Sequence, residues 1–88
     1  MSIPLNKKGN TRVIPYFDGF IIKLYETSII IFNSEIIVLN SGGYKTSTTK
    51  NRMNHAAREF NLNFNVYQKK GQWFVNDQEF FDGMELKR

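Results

Sequence analysis

Four consecutive hydroxyl residues, Thr46-Ser47-Thr48-Thr49, follow the glycine pair Gly42-Gly43 and run straight into Lys50-Asn51-Arg52. Free N–H groups at the start of a helix, with hydroxyls and cations beside them, are the parts of an anion site. The first turn of a helix carries partial positive charge and favours Asp or Glu, yet this segment offers Lys50 and Arg52 where a capping box would put an acid or its amide. Local rules are broken most often at working sites. The chemistry expected is docking of a phosphate or an acidic side chain. No Walker loop is involved, because Gly-x-x-x-x-Gly-Lys-Ser/Thr is absent. The competing reading is a helix carrying ordinary solvated cations.

A second constellation sets aromatic residues beside cations: Tyr44-Lys45, Tyr67-Gln68-Lys69-Lys70 and Trp73. Rings and cations in such proximity stack bases and neutralise phosphates in single-strand binders. Against this, a small domain needs its aromatics for the core, and the chain lacks the glycine-aromatic pattern of an RNA recognition motif. Together the two constellations nominate Lys45, Thr48, Thr49, Lys50, Arg52, His55, Arg58, Tyr67, Lys69 and Lys70 as nucleic-acid or anion-binding residues. His55, the sole histidine, has the chemistry to contact phosphate or sense pH, although a place on a polar helix face more often means plain exposure. Asp18, Asp77 and Asp82 have no metal-ligand spacing. Ser41, Ser47 and the threonines lack a base partner, and no Gly-x-Ser-x-Gly occurs. The expectation is a non-enzyme without metal or cofactor.

Composition sets the frame for these residues. A chain of 88 residues makes one domain that buries roughly 60% of its unfolded surface. It has no cysteine, so neither disulfides nor thiolate metal sites staple it. Aromatic residues make up 15%, enough large side chains for a small core to offset chain entropy. Twelve Lys and Arg against eight Asp and Glu give a net charge of +4, and the four basic residues between Lys45 and Arg58 meet no acidic one. Such a field attracts polyanions, though a charge this small also serves solubility. No apolar run is longer than the four residues of Ile29-Ile30-Ile31-Phe32, far short of the ~20 residues of a membrane helix, and residues 1–10 lack the pattern of a signal peptide. A soluble cytoplasmic protein without membrane contact is expected.

The elements that must carry the site follow from periodicity. Met53, Ala56, Ala57 and Phe60 fall on one face at helical spacing, and Lys50, Asn51, Asn54, His55 and Arg58 fall elsewhere. This predicts one amphipathic helix, capped by one of the four hydroxyls and stopped near Asn61. Residues 1–12 read as a flexible arm and 13–88 as one α+β domain. Pro15 and Asp18-Gly19 restrict the first strand to a short edge piece. Thr27-Ser28 is a weak break, either a bulge in one long strand over residues 20–32 or a tight connection between two; one long bent strand is the favoured reading, returning through a turn at Asn33-Ser34 into Glu35–Asn40. After the helix, Phe64–Lys69 and Gln72–Asn76 form a hairpin around Lys70-Gly71, with Tyr67 and Lys69 on its less apolar face. Asp77-Gln78 turns again, and residues 79–86 supply a possible edge strand. The fold expected is a small antiparallel sheet in β-β-α-β-β order with one helix across one face.

The blocks Leu39-Asn40-Ser41-Gly42-Gly43-Tyr44, Thr48-Thr49-Lys50-Asn51-Arg52-Met53-Asn54, Phe60-Asn61-Leu62, Val66-Tyr67-Gln68-Lys69 and Gln72-Trp73-Phe74-Val75 resemble a small protein family of tailed bacteriophages that carries no assigned activity. The resemblance covers residues 12–76. It implies a phage protein acting in the cytoplasm of an infected bacterium. Three roles follow as expectations: an accessory nucleic-acid binder that uses its cations and Tyr67 or Trp73; an inhibitor of a host or defence protein, of the anti-CRISPR kind; or a minor virion or scaffolding protein, which exposed apolar strand edges would favour.

Overall fold

The computed structural model describes residues 10–43 and 45–88. Tyr44 and residues 1–9, including most of the arm expected at 1–12, lie outside the described residues. The described residues form an α+β fold with one helix and two antiparallel sheets. In order it forms β1 (Thr11–Tyr16), β2 (Gly19–Leu24), β3 (Thr27–Phe32), β4 (Ile36–Leu39), α1 (Ser47–Glu59), β5 (Val66–Lys69), β6 (Gln72–Val75), β7 (Gln78–Glu79) and β8 (Met84–Lys87).

Four strands meander into a sheet of order β1-β2-β3-β4, and β8 returns to pair with β4. The single long strand expected over 20–32 is instead a hairpin. Leu24 pairs with Thr27, so Tyr25-Glu26 makes the turn, with Tyr25 at φ 55°. The register irregularity sits between Ile22 and Lys23, not at Thr27-Ser28. The first turn is likewise shifted from Asp18-Gly19: Tyr16 pairs with Gly19, leaving Phe17-Asp18 as the turn and Phe17 at φ 52°. Gly19 is needed for another reason, since a Cβ there would meet the Phe32 carbonyl oxygen at 1.8 Å. β1 is an edge strand, as Pro15 requires, but it begins at Thr11.

The helix ends as its sequence dictates. The Thr46 hydroxyl accepts from the Thr49 N–H at 3.2 Å, so Thr46 is the cap among the four hydroxyls. At the far end Asn61 takes φ 55° and the Leu62 N–H donates to the Ala57 carbonyl at 2.9 Å, a left-handed stop. Met53, Ala56 and Ala57 face a core of Ile22, Ile30, Ile37 and Leu39, and half-buried Phe60 closes an aromatic trio with Phe20 and Phe32 at 5.2–5.7 Å between centroids.

The second hairpin does not extend this sheet. β5, β6 and β7 form a sheet of their own, so the expected single sheet becomes two. Lys70 (φ 53°) and Gly71 (φ 79°) both adopt the left-handed backbone that a type I′ turn requires. Asn54 ties this hairpin to the helix: its Oδ1 accepts from the Val66 N–H at 2.7 Å and its Nδ2 donates to the Val66 carbonyl at 2.8 Å. One amide side chain thereby satisfies both backbone groups of the first residue of β5.

Candidate functional site: cations and an open sheet face

The expected site residues separate on folding. Arg52 and Asn54 leave the helix on opposite flanks. The Arg52 Nε donates to the Thr11 hydroxyl of β1 at 2.9 Å, while Asn54 reaches β5. Lys50 is half-buried, and Arg58 and Thr48 are exposed. Thr49 is buried, with its hydroxyl 3.1 Å from that of Thr46. His55, expected on an exposed face, is 6% exposed and lies with Nε2 3.5 Å from Glu59 Oε1. The cleft beside the start of α1, about 550 Å³, is floored by Leu24, Thr27 and Ile29 and includes Glu26; neither Lys50 nor Arg52 lines it.

Lys45 serves a local cluster. Its Nζ stands 5.7 Å from the ring centroid of Phe80, and its charge acts on Asp82. The Asp82 Oδ1 accepts from the Ser41 N–H at 2.8 Å and from the Ser41 hydroxyl at 2.7 Å, clamping the end of β4 to the turn before β8. Burial pushes the Asp82 carboxyl up, but the Ser41 bonds, the Lys45 ammonium and the Gly43 N–H together outweigh it and hold the pKa below its ordinary value. In the sequence Asp82 is one of three scattered acids without metal-ligand spacing, and nothing local marks it as a clamp.

Trp73 is 4% exposed and packs on Phe80 at 5.4 Å, so it is a core residue and is closed to base stacking. Tyr67 is different. It stands half-buried on the outward face of the three-stranded sheet, stacked on Phe74 at 5.6 Å and 18°, with Lys69 two positions along the same strand. Lys69 and Lys70 are exposed at the hairpin tip. The same face carries Gln72 and Glu79, the Gln72 amide donating to the Glu79 carboxylate.

The residues that sequence reading missed lie on the five-stranded sheet. Among the described residues, α1 is the element that packs across this sheet, against β2 and β3 from the inner side. On the other face Ile14 pairs with Ile21, Ile21 with Ile31, Ile31 with Val38 and Val38 with Glu85, so an aliphatic row four strands wide crosses the sheet and ends in one carboxylate. Ile36 extends it along β4. Tyr16 and Phe17, 47% and 90% exposed, rise at one corner beside a hollow of about 250 Å³ floored by Ile31, Ile36 and Val38. Next to the row, Arg12 and Lys23 stand directly opposite each other on β1 and β2. Like charges so placed are destabilising by themselves.

A signal for this face was present. An antiparallel sheet with one wet face alternates apolar and polar residues, whereas Phe20-Ile21-Ile22, Ile29-Ile30-Ile31-Phe32 and Ile36-Ile37-Val38-Leu39 are continuous, the pattern of strands covered on both sides. The described helix covers one side.

Among the described residues no group of three or more His, Asp or Glu could hold a metal ion, and no helix is long and apolar enough to cross a membrane. A family model described as Kyanoviridae Gp96 protein matches residues 4–87. No curated protein and no solved structure matches the chain.

Proposed function

Since the chain belongs to the Kyanoviridae Gp96 protein family of phages, we propose that it is a non-catalytic phage protein that works by protein–protein association through the outer face of its five-stranded sheet. The carrying observation is the row Ile14–Ile21–Ile31–Val38, aliphatic from β1 to β4 and without a described element across it. A contiguous apolar patch rimmed by charge is the surface signature of a protein contact. Nucleic acid is a poorer match for it, because backbone recognition needs cations along a groove, and Arg52 and Lys45 are engaged with Thr11 and with Asp82 and Phe80. A double substitution, Ile21→Lys with Ile31→Lys, tests the reading in fractionated extracts of infected cells. The tagged wild-type chain is expected to migrate in a larger particle and the variant, still folded by circular dichroism, at the mass of the free chain. Identical migration of the two would overturn it.

One observation favours a second reading, nucleic-acid binding on the three-stranded sheet: the stacked Tyr67–Phe74 pair next to Lys69 and Lys70. An aromatic platform with adjacent cations is the arrangement single-strand binders use. Fluorescence anisotropy with single-stranded DNA, duplex DNA and RNA over a salt series tests it. Binding that weakens with salt and is lost in Lys69→Glu/Lys70→Glu supports it, and absence of binding at low salt removes it.

A further inference from the structure

We infer that the partner on the outer sheet face is a second copy of this chain, stacked face to face about a two-fold axis that runs along β3. This rests on the reading of that face as a protein contact.

The order of residues across the sheet fixes what a second copy would meet. The row runs Ile14 (β1), Ile21 (β2), Ile31 (β3), Val38 (β4), Glu85 (β8), with β3 at its centre. A two-fold axis parallel to β3 exchanges β1 with β8 and β2 with β4. It therefore sets Ile31 against Ile31 of the second copy, and Ile21 against Val38 of the second copy. No aliphatic residue of the row then meets a charge head-on at the centre. At the edge, Glu85 of the second copy arrives over Ile14. Arg12 stands two residues along β1 on the same face, about 7 Å away, within reach of that carboxylate. The cation pair Arg12/Lys23, unfavourable in the isolated chain, thereby gains an acid from the other copy, and the symmetry supplies this twice. An isologous contact of this kind needs a surface that is complementary to itself. Here aliphatics lie at the centre, Arg12 and Lys23 at one edge and Glu85 at the other, with Lys87 two residues from Glu85 on the same face, where the two-fold sets it over Tyr16 of the second copy.

Area bounds the contact. Five strands spaced about 4.8 Å and roughly five residues long at about 3.3 Å per residue make a face of about 20 × 17 Å. Two such faces project about 680 Å² when flat. Side chains standing on them, with Tyr16 and Phe17 exposed at the corner, add to that projection, so the contact is a small one beside the roughly 1,200 Å² at which standard-size interfaces begin. Two sheets packed about 10 Å apart with strands within about 30° of each other form an ordinary sandwich core. Each continuous apolar strand is then covered on both faces.

The test uses the full chain, which has no cysteine of its own. Light scattering of the wild type is expected to give twice the 10.3 kDa chain mass. Ile31→Cys, next to the axis, is expected to cross-link to itself with a short bis-maleimide. Val38→Cys alone is expected to cross-link poorly but to join Ile21→Cys when the two variants are mixed. Arg12→Glu is expected to weaken the dimer and Arg12→Glu with Glu85→Arg to restore it. A chain of single mass up to the limit of solubility overturns the inference, as does a dimer that cross-links through none of these positions. If the chain is a monomer while Ile21→Lys/Ile31→Lys still releases it from a larger particle in extracts, the dimer fails and the protein-contact reading stands. If neither is observed, both fail.

Discussion

The two faces of the five-stranded sheet are built from nearly the same residue types and meet different surroundings. Ile30 and Ile31 are neighbours on β3. Ile30 points to the helix and is fully buried; Ile31 points the other way and is half-buried. Ile37 and Val38 repeat the contrast on β4. On the inner face the matching surface is part of the same chain: Met53, Ala56 and Ala57 of α1 and the aromatic ring of Phe60. The outer face has the same appetite for burial and no described element of the chain to meet it. Covering one face of an antiparallel sheet is enough for stability when the other is polar. An apolar second face fits the association proposed for it.

Substitutions that strike each face in turn separate these roles. The largest effect is expected from Ile30→Ala, which opens a cavity under the helix and should lower unfolding free energy by about 2–5 kcal/mol in urea titrations. Ile31→Ala, measured at dilution where the chain is free, should cost only about 1 kcal/mol. Equal costs would remove the contrast. Next comes Asn54→Ala, which strips both hydrogen bonds from the Val66 backbone and should cost about 1–3 kcal/mol. Because Asn54 joins the helix to the three-stranded sheet, hydrogen exchange in this variant should rise in β5 and β6 and stay unchanged in β1 to β3. Thr46→Ala, which removes the helix cap, should cost about 1 kcal/mol by thermal unfolding.

The smallest effect concerns pH. The Asp82 carboxyl has a lowered pKa in the folded chain, so its contribution to stability is present above the ordinary carboxylate range and is lost as pH falls through the folded value. Stability of the wild type should therefore decline below about pH 4 more than that of Asp82→Asn, whose side chain does not titrate in this range. Parallel acid profiles for the two would show that Ser41 and Lys45 do not tune this group.

Much of the architecture was legible because its signals are local. The helical spacing of Met53, Ala56, Ala57 and Phe60, the stop at Asn61 and the Lys70-Gly71 hairpin each depend on a few adjacent residues, and each is observed. The turn at Tyr25-Glu26 carried no glycine, asparagine or proline, and a tyrosine at positive φ is not a turn signal; an unbroken β-rich run was the natural reading. The division into two sheets has no local signal, and the Asn54 bonds that hold β5 beside the helix join residues 12 apart, which no periodicity encodes.

The candidate site was less legible still. Side chains grouped by sequence, such as Lys50 with Arg52 or Lys45 with Tyr67, are dispersed by the fold to different flanks and partners. His55 and Trp73 looked available by type and are buried by tertiary packing. The open aliphatic row was written in the sequence as strands without alternation, but its meaning depends on knowing that one helix covers one face.

The most direct measurement is sedimentation equilibrium of the wild-type chain and of Ile31→Lys over a dilution series, with circular dichroism as the check on folding. A wild-type mass that rises with concentration to twice that of the chain is expected, with a folded Ile31→Lys that stays at the single-chain mass. A wild type that remains at the single-chain mass throughout, or an Ile31→Lys variant that associates as the wild type does, would contradict association through the outer face.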